Sequence, residues 1–262
     1  MAQLFHAVIA ENTYLISDDS FGTDLAFGKP TANSYLIVGE SRALLFDLAV
    51  PAPGLRQYAR SLAGKPLLTV ISHGHPDHIY HMEDCDALWL NQADWDFPLC
   101  ALTGTELPKN RPQLHDVSDG MRFDLGRRIL DVIAIPGHTM GSILLFDRQT
   151  GILFSGDTVA RRLLYGLTGC PPLAQFCDNL QKLQLLPIRG IYSAHDRAAL
   201  PPDYPSYMSR MLQTKLSAAA ETWQYPGFPL MRRLVVGDEA SPDYLDAAVP
   251  DTLLQEENTY AI

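Results

Sequence analysis

Along the chain, apolar residues gather in short runs punctuated by Gly, Pro, Asp and Asn, a pattern that predicts many strands and few helices. Strand-like runs cover residues 4–10, 14–17, 34–38 and 43–48, and Gly39-Glu40-Ser41 joins the last two as a hairpin, so antiparallel β-structure opens the fold. Residues 18–31, rich in Asp, Gly and Ser and carrying Phe21 and Phe27, predict a long loop able to lean over a site. A short helix is expected over 53–62, with Leu55, Tyr58, Ala59 and Leu62 on one face. Residues 67–71 then form a short β-branched apolar run, a buried strand. Further strands are predicted at 87–90, 122–125, 129–135, 142–146, 152–155 and 188–192. A turn of helix is expected near 92–95, a loop over 98–112 and a hairpin at 147–151. Helical spacing marks 173–186 and, most clearly, 204–222, where Tyr204, Tyr207, Met208, Met211, Leu212, Leu216 and Ala219 form a stripe suited to core packing. No repeat or linker divides the chain, so one domain over 1–262 is expected, with 200–262 as a helical extension packed on it.

Composition narrows the class. With 262 residues and 47% hydrophobic content, the chain can bury a sizeable core. A formal net charge of −10 argues against a sequence-independent grip on phosphate backbones, so nucleic acid is not an expected partner. No apolar run reaches the roughly 18 residues of a membrane helix, and the N-terminus lacks the basic start of a signal peptide. No membrane partner and a cytoplasmic location follow as expectations. Cys85, Cys100, Cys170 and Cys177 make no Cys-x-x-Cys pair, and free thiols suit that compartment.

The densest chemistry lies just after the strand at 67–71. Ser72-His-Gly-His-Pro-Asp-His-Ile-Tyr-His81 places His73, His75, Asp77 and His78 within six positions. A helix is a poor host, because residues two apart diverge on it and Pro76 disfavours the α region at His75. In extended or turning backbone such residues can converge, and imidazoles with a carboxylate suit Zn, Fe or Mn-like ions. Three later strand ends carry the same residue types: Pro136-Gly-His138-Thr, Ser155-Gly-Asp157-Thr and Ala194-His195-Asp. Each is weak alone, since strands commonly end in polar loops.

This ordered set of motifs, spanning roughly residues 33–195, resembles the metallo-β-lactamase-fold hydrolases. The resemblance implies a four-layer αββα sandwich, α/β in class, with two mixed sheets flanked by helices and a dinuclear site at one sheet edge. It assigns His73, His75 and His138 to one metal and Asp77, His78 and His195 to a second, with Asp157 bridging. Two divalent ions are implied, taken as Zn, with Fe or Mn as alternatives. Such a centre supplies hydroxide near neutral pH and polarises a carbonyl, which implies cleavage of an ester, thioester or lactone in a small molecule, with Asp77 orienting the hydroxide and accepting its proton.

The branch is narrowed by departures. Exported β-lactamases lack the bridging Asp and flavodiiron members carry Glu where His75 stands, so the glyoxalase II and lactonase branches fit better. No glutathione-binding pattern follows His195, and the 204–222 helix is expected to cover the site mouth instead. Where the family often has small residues, this chain has Ile79, Tyr80 and His81, which makes His81 a candidate substrate contact or else a surface histidine. Arg161 and Arg162 are candidates for a substrate carboxylate or an ordinary solvated pair. Tyr165 is a candidate donor to a leaving group or oxyanion. The remaining alternatives are a mononuclear iron persulfide dioxygenase, a phosphodiesterase and a non-catalytic ligand sensor. The partners expected are a small-molecule substrate and, as an option, a second copy of the chain.

Overall fold

The computed structural model describes residues 3–19, 32–196, 198–224 and 228–255. The loop expected over 18–31 falls almost wholly outside them. Apolar β-branched runs separated by turn residues become two sheets. The first holds seven strands in chain order: β1 (Leu4–Ala10), β2 (Thr13–Asp18), β3 (Ser34–Val38), β4 (Ala43–Phe46), β5 (Leu67–Val70), β6 (Ala87–Trp89) and β7 (Gln113–His115). Pairing is antiparallel from β1 to β4 and parallel from β4 to β7.

The next strands are β8 (Arg122–Asp124), β9 (Ile129–Ala134), β10 (Ile143–Asp147), β11 (Ile152–Gly156), β12 (Arg162–Leu164) and β13 (Gly190–Ser193). All but β12 form the second sheet, in the order β13-β11-β10-β9-β8, antiparallel except for the parallel pair β11 and β13. Tyr35, Phe46 and Val70 of the first sheet interlock with Val132, Leu145 and Phe154 of the second. Each outer face is covered by helices. α1 (Leu55–Ala63) and α2 (Pro98–Thr103) cover the first sheet, and α3 (Leu173–Leu180) and α4 (Tyr204–Lys215) the second, giving the four-layer αββα sandwich.

The C-terminal stretch departs from the helical extension expected of it. Among the described residues there, only α4 and a final turn, α5 (Asp251–Gln255), are helical, and β14 (Thr222–Trp223), β15 (Met231–Val236) and β16 (Leu245–Pro250) join β12 in a third sheet, ordered β12-β16-β15-β14. Apolar content explains it: Leu245, Ala247, Ala248 and Val249 of β16 are buried, as are Met231 and Leu234 of β15. Among the described residues no helix is long and apolar enough to cross a membrane.

Arg128 clamps the two main sheets together. Its guanidinium is 2% exposed and bonds Asp147 Oδ2 at 2.6 Å, Thr13 Oγ1 at 2.6 Å and the carbonyls of Asn12 and Val38, both at 3.1 Å. Arg128→Met leaves the Asp147 carboxylate buried without its cation, and a loss of about 3–5 kcal/mol is expected. Urea denaturation checks this, and adding Asp147→Leu should recover part of the loss.

Candidate metal centre

The strand ends converge at one edge of the sandwich. His73 and His75 follow β5 in extended backbone, and Pro76 then starts a tight 3₁₀ turn, Pro76–His78, that swings Asp77 and His78 to the other side. His138 follows β9 through Pro136-Gly137, Asp157 follows β11 and His195 follows β13. Three sets of potential ligand atoms lie within 4.8 Å of one another: His73 with His75 and His138, His73 with His78 and Asp157, and Asp77 with His78 and His195. Asp157 stands between the histidine groups, with Oδ2 3.1 Å from His195 Nε2 and 3.5 Å from His138 Nε2, and Oδ1 3.5 Å from His78 Nε2. Asp77 Oδ2 is 3.5 Å from His195 Nε2.

Hydrogen bonds behind the cluster select the tautomers. Asp47, at the end of β4, accepts the Ser72 backbone N–H at 2.6 Å, the Ser72 hydroxyl at 2.9 Å and His78 Nδ1–H at 3.1 Å. Because the Ser72 hydroxyl donates to Asp47, its oxygen is left to accept from His73 Nδ1 at 2.9 Å. His138 Nδ1 donates to the Leu164 carbonyl at 2.6 Å. Each of these three rings therefore turns Nε2 toward the cluster.

The donor set fits a divalent metal. His73 Nε2, His75 Nε2, His78 Nε2 and Asp157 Oδ1 are buried without a hydrogen-bond partner, a costly state for a protein to keep empty-handed. His138 Nε2 and His75 Nδ1 lie 2.9 Å apart, so a proton or a cation must sit between them. Burial, reinforced by the neighbouring imidazoles, holds His73 and His75 well below the ordinary histidine value. Burial also pulls on His78 and His195, but the carboxylates win: Asp157, Asp47 and Asp77 push His78 well up, and Asp157 and Asp77 push His195 up to about 9. Asp157, although burial opposes its charge, is held well below the usual carboxylate range by His195 and His78. Without a cation, the cluster thus keeps His73 and His75 neutral and favours a proton on His78 and His195 beside the carboxylates.

Other expected contacts lie elsewhere. Tyr165 is fully buried beside Phe176 with its hydroxyl donating to the Pro171 carbonyl, so its apolar ring packs the core instead of serving as an oxyanion donor. His81 adopts a left-handed backbone, φ 53°, and Nε2 donates to the Pro51 carbonyl at 2.9 Å. It takes no part in the ligand sets. Helix α4 packs with α3 on the outer face of the second sheet, because its Met and Tyr stripe needs an apolar partner. Arg161 and Arg162 do border the cluster, in a small pocket beside His195.

Two buried carboxylates escaped the sequence reading. One is Asp47; the other is Asp94, in the turn after β6. Asp94 Oδ2 accepts from the Gly74 N–H at 2.8 Å and the Thr139 hydroxyl at 2.7 Å, and Oδ1 accepts from the Gly141 N–H at 3.0 Å. It ties the His73–His75 loop to the His138 loop. A Cβ on Gly74 would stand 2.9 Å from the Asp94 carbonyl oxygen, and one on Gly141 2.6 Å from Asp94 Cγ, so this close approach requires both glycines.

Comparison with known proteins gives a consistent picture. Residues 28–173, more than half the chain, match the profile of the Metallo-beta-lactamase superfamily. The chain is 30% identical over 192 residues to the acyl-coenzyme A thioesterase MBLAC2 of Gallus gallus, covering 61% of this chain and 69% of that protein. It is 33% identical over 163 residues to the hydroxyacylglutathione hydrolase of Thermosynechococcus vestitus, covering 59% and 58%. Among solved structures, a metallo-beta-lactamase from Pontibacter korlensis superposes with a TM-score of 0.65 at 21% identity, over 81% of this chain and all of that one. TTHA1623 in a di-iron-bound form superposes with a TM-score of 0.57 at 24% identity, over 69% and 94%.

Asp94→Asn keeps the shape but turns one acceptor into a donor facing N–H and O–H groups. A stability loss of about 1–3 kcal/mol and a metal affinity weakened about 10–100-fold are expected. Denaturation and competitive metal titration measure the two separately.

Proposed function

We propose, because the chain belongs to the metallo-beta-lactamase superfamily and is a metal-dependent hydrolase, that it cleaves a thioester of a small acyl group at a dinuclear centre. His73, His75 and His138 would hold one ion, Asp77, His78 and His195 the other, with Asp157 placed to serve both. The observation that carries this reading is the position of Asp157, one carboxylate within 3.5 Å of histidines from both sets with its Oδ1 otherwise unpartnered. The relatives support the thioester among the carboxylic esters, since an acyl group on a thiol carrier appears in both names, an acyl-coenzyme A thioesterase and a hydroxyacylglutathione hydrolase. TTHA1623 was solved with two irons, which supports a pair of ions and keeps Fe beside Zn and Mn as a candidate.

Bound divalent metal supplies polarisation of the thioester carbonyl and a lowered pKa for water in contact with it. The chain's own residues do the rest. Asp77, partly exposed at the mouth of the cluster, orients the attacking water and takes its proton. Asp47, Ser72 and the Leu164 carbonyl hold His78, His73 and His138 with Nε2 toward the cluster, so these rings are oriented in advance.

Elemental analysis should find two equivalents of metal per chain. Asp157→Ala should lose metal and lower kcat/KM on an acyl thioester on the order of 100-fold or more, since even residues behind a ligand cost 10–100-fold. A metal-free protein with full thioesterase activity would sink the proposal. One iron per chain with oxygen consumption would replace it with the dioxygenase reading.

A further inference from the structure

The pocket beside His195 is assembled from parts that the ligand set does not use. It has a volume of about 80 Å³ and is lined by Arg161, Arg162, His195, Asp196, Glu239 and Tyr244. His195 is a wall of this pocket and a member of the metal cluster, so a group held here lies directly beside the reacting bond.

The pocket holds unused donors. Arg161 Nε and Arg162 Nη1 are buried and make no hydrogen bond. The carboxylate oxygen facing Arg161 Nε, Asp196 Oδ1, is 3.8 Å away. Asp196 is not free to come closer, because its Oδ2 already accepts the Ser193 hydroxyl at 2.6 Å and the Arg161 N–H at 3.2 Å. Arg162 Nη2 donates to Glu239 Oε1 at 2.6 Å, and that glutamate side chain is 70% exposed on a surface turn. Glu239 thus occupies one arm of the Arg162 fork, while Nη1 is left without an acceptor of good geometry beside the Tyr244 hydroxyl. A guanidinium fork is built to take a planar carboxylate through two parallel bonds, and buried N–H groups without acceptors favour any ligand that supplies one.

We propose that this pocket recognises a carboxylate at the far end of the substrate's acyl group, with Arg162 as the principal donor and Glu239 as a built-in competitor for it. The inference rests on the thioesterase reading given above. Two cations face two carboxylates here, so the local balance favours a singly charged carboxylate over a doubly charged phosphate. The pocket shares His195 with the cluster, so a carboxylate held in it sits a short distance from the scissile carbonyl.

Matched thioesters on N-acetylcysteamine, succinyl and butyryl, test this with the metal-loaded protein. The wild type should prefer succinyl in kcat/KM by about tenfold or more, mostly through KM, the size of one charge-assisted hydrogen bond. Arg162→Gln should collapse that preference toward unity. Glu239→Gln, a surface change with little risk to folding, should move it the opposite way by lowering KM for succinyl alone. Equal rates on both substrates in the wild type, or a succinyl preference untouched by both variants, would overturn the inference. If neither thioester is hydrolysed, the thioesterase reading fails, and the pocket is then read by calorimetry with the matched thioethers, in which CH₂ replaces the carbonyl. Tighter binding of the carboxylate thioether, lost in Arg162→Gln, supports the pocket on its own. Equal binding of the two thioethers refutes it.

Discussion

Three imidazole nitrogens and one carboxylate oxygen are buried in the cluster without a hydrogen-bond partner among the described residues, and the surrounding structure is arranged to bear that cost. Rings left to themselves would rotate to find partners. Two are pinned from behind, His78 by Asp47 and His73 by Ser72, and His75 is held at Nδ1 by His138 Nε2, a ring oriented in turn by the Leu164 carbonyl. The pinning groups are themselves buried. Asp47 and Asp94, each about 1% exposed, are satisfied by N–H and O–H donors, which spread their charge over the loops they hold together.

The convergence itself is a product of strand direction. β4, β5 and β6 run parallel, as do β11 and β13, so Asp47, His73, Asp94, Asp157 and His195 all leave carboxyl ends at one edge. The opposite edge carries no such chemistry and is free to serve stability. There Arg128 reaches across from the second sheet to the turn residues of the first and to Asp147. Placing the clamp at one end leaves the other end free to hold underbonded ligands.

Local patterning made much of this legible. The strands at residues 34–38, 129–134 and 152–156 and the short helix ending near Ala63 stand within a residue or two of where apolar spacing put them, because each buries its own face. The ligand residues were visible for a related reason: several imidazoles after one strand are rare enough to stand out. What stayed hidden is what depends on distant partners. Asp47 and Asp94 look like any acidic residue in a turn, and only the folded chain shows which amides they receive. Strand β12 is three residues long and is defined by pairing with β16 more than eighty positions later. Tyr165 looked like a candidate donor because it follows Asp157 closely, yet its ring is claimed by the α3 core.

The third sheet gives those hidden pairings a consequence. All seven residues of the candidate metal cluster lie at or before His195, so none of them comes from residues 200–255. The pocket beside it does, since Glu239 and Tyr244 form its far wall. Arg162 connects the two regions: it lies five residues after Asp157, and its backbone is in register with Asp246 on β16. Because Arg233 grips the same Asp246 through two bonds of 2.7 and 2.8 Å, the strand that carries the Arg162 guanidinium is held by the C-terminal sheet and not by the metal cluster. On the proposed reading, bond cleavage and choice of acyl group fall to different segments of the chain, and changes in β15 and β16 can alter the pocket while leaving the His and Asp cluster in place.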